Sequence, residues 1–201
     1  MNQIIFLVRM LVAAVIAFNT ASISVAAPDG PEPRQSTLGA SDPLKLPTII
    51  YLMRHAEKPA AGNPHLSAEG VARAEKLPSY LPSLLKSGQK IDYIFATKAS
   101  ADSNRPVETI TPLAGALGLT INDSYDAKSY RALAKKIISD ETYAHKVLVI
   151  SWHHSTLPKL ARALGARHVP KKWPGDAFNL IWQLTYAERG SATVQVSKEP
   201  F

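Results

Sequence analysis

An arginine and a histidine, Arg54 and His55, stand together at the end of a short apolar run that begins after Pro47. An apolar run of this kind, bounded by proline on one side and charge on the other, predicts a buried strand of a parallel sheet. In open α/β sheets, ligands bind outside the carboxyl ends of the strands, so we expect both side chains to face a ligand rather than the core. An imidazole in that position is a candidate nucleophile.

Two more groups of cationic or imidazole side chains follow predicted strands. Arg105 stands immediately before a proline, where the loop from a predicted strand at 91–97 meets the first turn of a helix. His153 and His154 follow a predicted strand at 146–151. Adjacent residues of an extended backbone point to opposite sides, so these two histidines are not expected to line a site in the same way.

The elements that position these residues alternate between strands and helices. Strands are predicted at 48–53, 91–97, 146–151, 178–185 and 192–197. Helices are predicted from Ser67 with a break before Tyr80, from Arg105 to Leu117, from Ala127 to Ser139, and from Ser155 or Thr156 to Leu164. The first helix is expected to bury Val71, Ala74 and Leu77 along one face. This alternation predicts a three-layer α/β/α sandwich with a mostly parallel central sheet.

Four motifs, in this order along the chain, resemble those of the histidine phosphatase superfamily, the phosphoglycerate-mutase-like enzymes. Arg54-His55-Ala56 resembles the Arg-His-Gly signature, with alanine in place of glycine, and Leu66-Ser67-Ala68-Glu69-Gly70 resembles the Leu-Thr-x-x-Gly helix start. The segment 103–109 resembles the element that carries the second arginine, and 152–158 resembles the loop that carries the second histidine. The similarity covers about residues 48–165.

The resemblance implies a metal-independent phosphomonoester hydrolase that forms a phosphohistidine on His55. Arg54, Arg105 and His153 would surround the phosphate, and His154, at the usual serine position, is a further candidate for substrate binding. A guanidinium suits this role because its planar fork holds two phosphate oxygens and stays charged at every relevant pH. A neutral imidazole is the attacking form, so a backbone carbonyl that accepts from one ring nitrogen would set the tautomer.

The resemblance implies no metal and no cofactor, and the expected partner is a phosphorylated small molecule or a phosphoprotein. The proton donor for the leaving group is an open question, with Glu57, Glu108, Asp123 and Asp126 as candidates. Asp126 is preferred because it precedes a predicted helix in the segment where related enzymes present their acid, although Asp is also a favoured helix N-cap. Glu57 is the second choice, since it is close to His55 in sequence.

Other functions find less support in the residues. A metal-dependent hydrolase built on His55, His153 and His154 would need a carboxylate-rich ligand set or a His-x-x-x-His helix, and the sequence has neither. The Gly-x-Ser-x-Gly elbow of many serine hydrolases is also absent. A non-catalytic phosphate-binding or scaffold protein on the same fold, and a phosphatase that acts on phosphohistidine in proteins, stay as alternatives. The sequence does not choose among phosphorylated substrates.

The amino-terminal residues 1–26 have the composition of a secretory signal peptide. Arg9 precedes an apolar stretch from Met10 to Phe18, and small residues stand at Ser24-Val25-Ala26. The stretch is well short of the ~20 residues that span a bilayer, so we expect cleavage, no stable membrane insertion and a periplasmic or secreted location. An uncleaved anchor is the alternative. Because the chain has no cysteine, disulfides and a lipoprotein anchor are excluded.

Residues 27–47 contain five prolines and are expected to form a linker without secondary structure. The rest of the chain, 48–201, is long enough for one catalytic domain with a substantial core, in a sequence that is 46% hydrophobic. The formal net charge of +7 favours anionic partners in general. Lysines and arginines are scattered rather than clustered with aromatic residues, so nucleic acid is not an expected partner.

Overall fold

The computed structural model describes residues 45–60, 62–187 and 190–201. The predicted signal peptide and all but the last three residues of the predicted linker lie outside the described residues. Of the remaining linker residues, Leu46 and Pro47 are buried, and Leu46 accepts a backbone hydrogen bond of 2.8 Å from His145. The end of the predicted linker therefore packs on the domain that follows it.

The described residues form a six-stranded mixed sheet with helices on both faces, which confirms the predicted three-layer α/β/α class. The strands are β1 (Ile49–Arg54), β2 (Tyr93–Thr97), β3 (Ile121–Tyr125), β4 (Val147–Trp152), β5 (Leu180–Tyr186) and β6 (Ala192–Lys198). The α-helices are α1 (Ala68–Ala74), α2 (Leu77–Ser83), α3 (Arg105–Leu117), α4 (Tyr130–Ser139) and α5 (Leu157–Ala163). The strand order is β3-β2-β4-β1-β5-β6.

The first four strands of the chain run parallel, whereas β5 is antiparallel to β1 and β6 is antiparallel to β5. Alternate residues of β1 enter two separate hydrophobic clusters. Ile50 and Leu52 pack with residues of α4 and α5, and Tyr51 and Met53 pack with residues of α2 and α3. Both faces of this central strand are thus covered by helices, as expected for a continuous apolar run in a parallel sheet.

The parallel pairing brings the carboxyl ends of three strands to one edge of the sheet. Arg54, the last residue of β1, stands opposite Trp152, the last residue of β4. The backbone N–H of His55 continues this pairing with a 3.2 Å hydrogen bond to the carbonyl of Trp152. On the other side of β4, Ala96 near the end of β2 stands opposite Ser151. The residues that follow β1, β2 and β4 therefore meet at this edge.

The first predicted helix is two short helices. Ser67 caps α1 through a 3.1 Å hydrogen bond from the backbone N–H of Gly70, and the chain breaks between α1 and α2, before Tyr80 as predicted. Val71 is 46% exposed, so its predicted burial was wrong. The reason is Gly70, which is buried against the backbone of Glu57 so closely that a Cβ would lie 2.4 Å from the Glu57 carbonyl oxygen.

Strand β3 was not predicted. Its sequence, Ile-Asn-Asp-Ser-Tyr, has no apolar alternation, and none of its side chains is buried. Among the described strands it pairs only with β2, at the edge of the sheet, with a register shift between Phe95 and Thr97. Such a strand forms because its backbone hydrogen-bonds to a neighbouring strand, so its hydrophobic pattern does not reveal it.

Candidate active site

Arg54 and His55 are almost completely buried, with exposed fractions of 2% and 3%. The Nη1 of Arg54 donates a 2.5 Å hydrogen bond to the carbonyl of Gly175, and its guanidinium carbon lies 3.8 Å from the centre of the Phe178 ring. Burial lowers the pKa of Arg54 to about 10, and the nearby charge of Arg105 acts in the same direction. The guanidinium is thus held in place from the side of the Gly175 loop and stays charged at neutral pH.

The imidazole of His55 is fixed in one tautomer. Its Nδ1 lies 2.7 Å from the carbonyl oxygen of Ala56. Because a carbonyl only accepts, Nδ1 carries the proton and Nε2 keeps its lone pair. Burial lowers the pKa of His55 to about 3, and the neighbouring Arg54, His153 and Arg105 lower it further because a charged His55 would be repelled by their positive forms. His55 is therefore a neutral imidazole at physiological pH, with a free ring nitrogen.

Thr109, on α3, joins the His55 turn to the second arginine. Its buried hydroxyl accepts a 2.9 Å hydrogen bond from the backbone N–H of Ala56 and donates a 2.7 Å hydrogen bond to the carbonyl of Arg105. The Arg105 side chain is held separately, since Nη1 donates to the carbonyl of Asn63 at 2.7 Å. The first turn of α3 therefore has a defined position relative to the end of β1.

His153 follows the end of β4, and its ring lies edge-on to that of His55 with 5.5 Å between the ring centres. Burial lowers the pKa of His153 to about 4, helped by the positive charges around it, and burial also lowers the pKa of His154. The backbone turns at His154 instead of continuing as a strand. The alternation expected for extended backbone therefore does not apply, and both histidines line the same pocket.

These side chains surround an open pocket of about 330 Å³ that we call the phosphate pocket. Its lining residues are Arg54, His55, Lys58, Ser100, Asp102, Ser103, Arg105, Ala127, His153, His154 and Ser155. Five residues predicted as site residues, all except Asp126, are brought together here. The lining carries an excess of positive charge, so it favours an anionic ligand.

Buried donors in the lining point to the same kind of ligand. The Nε of Arg54, the Nε of Arg105 and the Oγ of Ser103 are buried without a hydrogen-bond partner among the described residues. A buried polar group without a partner costs about 1–3 kcal/mol, so such groups call for an acceptor. An oxyanion carries several acceptor oxygens, so it suits both guanidinium and hydroxyl donors.

Asp126 is not brought into the phosphate pocket, although the adjacent Ala127 lines it. The exposed carboxylate of Asp126 accepts backbone hydrogen bonds from Lys128 at 2.8 Å and Ser129 at 2.9 Å, as the N-cap of a short 3₁₀ turn. These hydrogen bonds lower the pKa of Asp126, which favours the ionised form over a proton donor. The geometry therefore supports the cap and not the predicted acid.

The other predicted acids have different partners. Glu57 is buried and receives hydrogen bonds from the Nε of Arg73 at 2.9 and 3.0 Å, and Arg73 also reaches Glu199 at 2.8 Å. Burial raises the pKa of Glu199 to about 7. Glu108 accepts from the backbone N–H of Leu66 at 2.8 Å and pairs with the His65 ring. Neither Glu57 nor Glu108 lines the phosphate pocket, and nor does Asp123 on β3.

Asp102 is the acidic lining residue that sequence reasoning missed, along with the polar lining residues Lys58, Ser100 and Ser103. Among the lining residues in the described part of the chain, it alone carries a carboxylate. The signal that could have found it is its place in the loop between β2 and α3, three positions before Arg105. A loop that delivers one functional side chain to the carboxyl edge of a sheet places its neighbours there as well.

Within the described residues, no group of three or more His, Cys, Asp or Glu side chains is arranged to hold a metal ion. Among the same residues, no helix combines the length and the hydrophobicity that crossing a membrane requires.

Solved structures of histidine phosphatase superfamily members share this fold. A phosphoglycerate mutase from Bacillus anthracis aligns with a TM-score of 0.53 and 13% identity, over 75% of this chain and 92% of its own. The protein histidine phosphatase SixA, complexed with tungstate, aligns with a TM-score of 0.51 and 17% identity, over 75% and 96%. A mycobacterial glucosyl-3-phosphoglycerate phosphatase aligns with a TM-score of 0.50 and 13% identity, over 75% and 97%.

No family model and no curated protein matches the sequence. At these identities the similarity concerns the fold. The fold that the four motifs implied is thus confirmed, and a fold by itself does not define an activity.

Proposed function

We propose that this protein hydrolyses phosphomonoesters through a phosphohistidine on His55, without a metal ion. The observation that carries the proposal is the state of that imidazole. Its Nδ1 donates to the Ala56 carbonyl, which leaves a lone pair on Nε2 in a pocket that also contains Arg54, Arg105 and His153. A neutral nucleophile beside cationic donors is the combination that attack on a phosphate dianion requires.

In the first step, Nε2 of His55 attacks phosphorus, the bond to the ester oxygen breaks, and the leaving alcohol takes a proton. In the second step, water attacks phosphorus, the nitrogen–phosphorus bond breaks, and inorganic phosphate leaves with the lone pair restored to Nε2. Arg54 and Arg105 would stabilise the charge on the equatorial oxygens in both transition states. The unpartnered Nε atoms of both arginines support this role.

Asp102 is our candidate for the proton donor, because it supplies the carboxylate among the lining residues that the structure describes. Its side chain is exposed at the pocket and is not occupied as a helix cap, unlike that of Asp126. The same group would then accept a proton from water in the second step. The tungstate complex of SixA supports an oxyanion site on this fold, since tungstate is a tetrahedral oxyanion like phosphate.

The decisive experiment compares purified wild-type protein with His55→Asn and with the matched control His168→Asn. His168 is exposed with a φ of 55°, a conformation that asparagine tolerates, and it lies outside the phosphate pocket. We expect turnover of a panel of phosphomonoesters by wild type and the control in the presence of EDTA, and none by His55→Asn. When a reaction with a substrate labelled in its phosphoryl group is quenched in base, we expect the label to stay on the wild-type protein as an acid-labile adduct.

A phosphate-binding protein without catalysis would bind phosphate and turn over nothing, which would refute the proposal. Loss of activity in EDTA with recovery on adding zinc would refute the metal-free step. The panel should include a phosphohistidine-bearing protein, since that substrate class stays an alternative for this fold. If the phosphohistidine-bearing protein were hydrolysed and no phosphomonoester were, the substrate would be phosphohistidine in a protein and not a phosphomonoester.

A further inference from the structure

The carbonyl that holds the imidazole of His55 belongs to the peptide unit between Ala56 and Glu57. Nδ1 of His55 donates to this carbonyl oxygen at 2.7 Å. Because a peptide unit is planar, the direction of its carbonyl follows from the positions of the residues on both sides of it. Thr109 holds the Ala56 side, where it accepts the 2.9 Å hydrogen bond from the backbone N–H. The tautomer of His55 therefore also depends on how Glu57 is held.

Glu57 is held through both its backbone and its side chain. Its carbonyl accepts a 3.0 Å hydrogen bond from the backbone N–H of Ser67, and Gly70 packs directly against its backbone. Its carboxylate, of which 12% is exposed, accepts from Nε of Arg73 and lies 2.8 Å from Nη2 of the same guanidinium. A guanidinium that presents two nitrogens to one carboxylate fixes its direction as well as its distance. Helix α1 thus positions the turn after β1 through Arg73.

Arg73 is held in turn by the segment that follows β6. Its Nη1 donates to the carboxylate of Glu199 at 2.8 Å and to the carbonyl of Phe201. The Phe201 ring lies 5.8 Å from the guanidinium carbon and packs edge-on against Tyr80 of α2, with 5.4 Å between ring centres. Nε and Nη2 of the guanidinium therefore face Glu57, whereas Nη1 faces Glu199 and Phe201. One side chain links the turn after β1 to the segment after β6.

Glu199 is a buried acid that the proposed reaction does not use. Its side chain is fully buried, does not line the phosphate pocket and pairs with Arg73, and its backbone N–H donates to the carbonyl of Asn179 at 2.8 Å. Its Oε1 has no hydrogen-bond partner among the described residues. A buried ion pair is a weak source of stability, and its best-attested use is to specify one arrangement over others. The arrangement that Glu199 specifies is that of Arg73.

We propose that Arg73 and Glu199 are positioning residues for His55. Glu199 holds Arg73, and Arg73 holds Glu57. The peptide unit between Ala56 and Glu57 then presents its carbonyl to Nδ1 of His55. This inference rests on the proposed function, because the tautomer matters for catalysis only if Nε2 attacks phosphorus. A misplacement of ~1 Å at a reacting group costs up to about 10²-fold in rate, so kcat reports the loss of this hold.

The test measures the tautomer of His55 and the steady-state kinetics on the same proteins. Nitrogen NMR of labelled imidazoles reports which ring nitrogen carries the proton, and His55→Asn identifies the signals of His55. The work is done at about pH 8.5, where Glu199 is ionised because its pKa is about 7. Arg73→Lys keeps the charge but loses the planar fork that serves Glu57 and Glu199 together. We expect part of the Arg73→Lys population to carry the proton on Nε2, and kcat to fall by about 10- to 10²-fold with little change in KM.

Glu57→Gln is the second variant, for the case in which Arg73→Lys does not fold. It keeps the size of the side chain and removes its charge, so it should shift the tautomer in the same direction. Asp92→Asn is the matched control for a broken ion pair. The Asp92 side chain is 14% exposed, pairs with Lys146 at 3.7 Å and accepts from the backbone N–H of Val147, but it precedes β2 at the edge of the sheet opposite to His55. Asp92→Asn should lose stability and keep the wild-type tautomer and kcat.

An unchanged tautomer in the Arg73 and Glu57 variants would overturn the inference, whatever their stability or kcat, because the cluster would then only support the fold. An equal shift in Asp92→Asn would also overturn it, since any broken ion pair would have the same effect. The NMR readout separates this failure from failure of the proposed function. If wild type turned over no phosphomonoester, a shifted tautomer in Arg73→Lys, absent from Asp92→Asn, would still support the positioning role.

Discussion

The side-chain oxygen of Thr109 accepts a 2.9 Å hydrogen bond from the backbone N–H of Ala56. The hydroxyl is completely buried and donates in turn to the carbonyl of Arg105. Ala56 also supplies the carbonyl that holds Nδ1 of His55. One hydroxyl therefore couples the residue that sets the tautomer of His55 to the helix that carries Arg105.

Replacing Thr109 with valine should impair both stability and catalysis. The Ala56 N–H would be left buried without its acceptor, at a cost of about 1–3 kcal/mol in the free energy of unfolding. The position of Arg105 relative to His55 would loosen, so kcat/KM should fall. Urea unfolding and steady-state kinetics measure the two effects.

Thr111→Val is the matched control for Thr109→Val. The hydroxyl of Thr111 lies on the same helix but is exposed and bonds only to the carbonyl of Val107 within the described residues. Thr109→Ser should keep most of the wild-type behaviour. If Thr109→Val behaves like Thr111→Val, the coupling has no consequence for the site.

Stability should fall as the pH is lowered through the range in which the pKa values of the buried His55 and the half-buried His153 differ from those of the unfolded chain. Their pKa values are about 3 for His55 and about 4 for His153 in the folded state, below about 6.5 in the unfolded chain. Between these limits the unfolded chain binds more protons, so acid favours unfolding. Stability from this source is complete above about pH 6.5 and is lost progressively down to about pH 4 for His153 and about pH 3 for His55.

His55→Asn removes one of these groups and should flatten the dependence. The measurement is the free energy of unfolding in urea at about pH 7.5 and about pH 5 for wild type, His55→Asn and His168→Asn. We expect a smaller loss between the two pH values for His55→Asn, and a wild-type loss for His168→Asn. An identical loss in all three proteins would show that His55 is not buried in its neutral form.

Asp102→Asn should slow hydrolysis of an alkyl phosphate by about 10²- to 10⁴-fold, because an alkoxide is a poor leaving group without a proton donor. Hydrolysis of p-nitrophenyl phosphate should change little, since that leaving group is already a stable anion. Comparing kcat on the two substrates measures the difference. Asp126→Asn, which keeps a capping side chain outside the pocket, should leave both rates intact. Equal slowing of both substrates by Asp102→Asn would assign the acid elsewhere.

Arg54→Lys should lower kcat by about 10²- to 10³-fold, the usual effect of losing one transition-state donor. Lysine keeps the charge but loses the planar fork, the bond to Gly175 and the stacking on Phe178. Inhibition by vanadate should weaken in parallel. Arg131→Lys, an exposed position on α4, is the control and should match wild type. Unchanged vanadate inhibition in Arg54→Lys would show that this arginine does not bind the anion.

The amino-terminal composition leads to a prediction about processing. Protein expressed from the full sequence should begin near Ala27 and be recovered outside the cytoplasm, because the apolar stretch before Ser24-Val25-Ala26 is typical of a cleaved signal. Amino-terminal sequencing of the purified protein measures this directly. An intact Met1 on protein from the cytoplasm would contradict export.

Local sequence patterns determined most of the architecture and the cationic part of the site. The apolar runs before His55 and His153 marked the central strands, and the serine before α1 and Gly118 after α3 marked helix ends. These signals are local, since a strand's hydrophobicity and a helix cap depend on a few neighbouring residues. The order of four motifs then placed two arginines and two histidines at the carboxyl edge of the sheet.

Tertiary structure decided what depends on partners that are distant along the chain. Glu57 follows His55 closely in sequence, yet its carboxylate bonds to Arg73, which also reaches Glu199, and does not line the pocket. An aspartate in a loop has the same local signature whether it caps a helix or lines a site, so the sequence favoured Asp126, which is an N-cap, and did not single out Asp102, which lines the pocket. Asp102 follows β2 and Asp126 follows β3, and the pairing of those strands in the sheet depends on contacts between distant segments that no local pattern records.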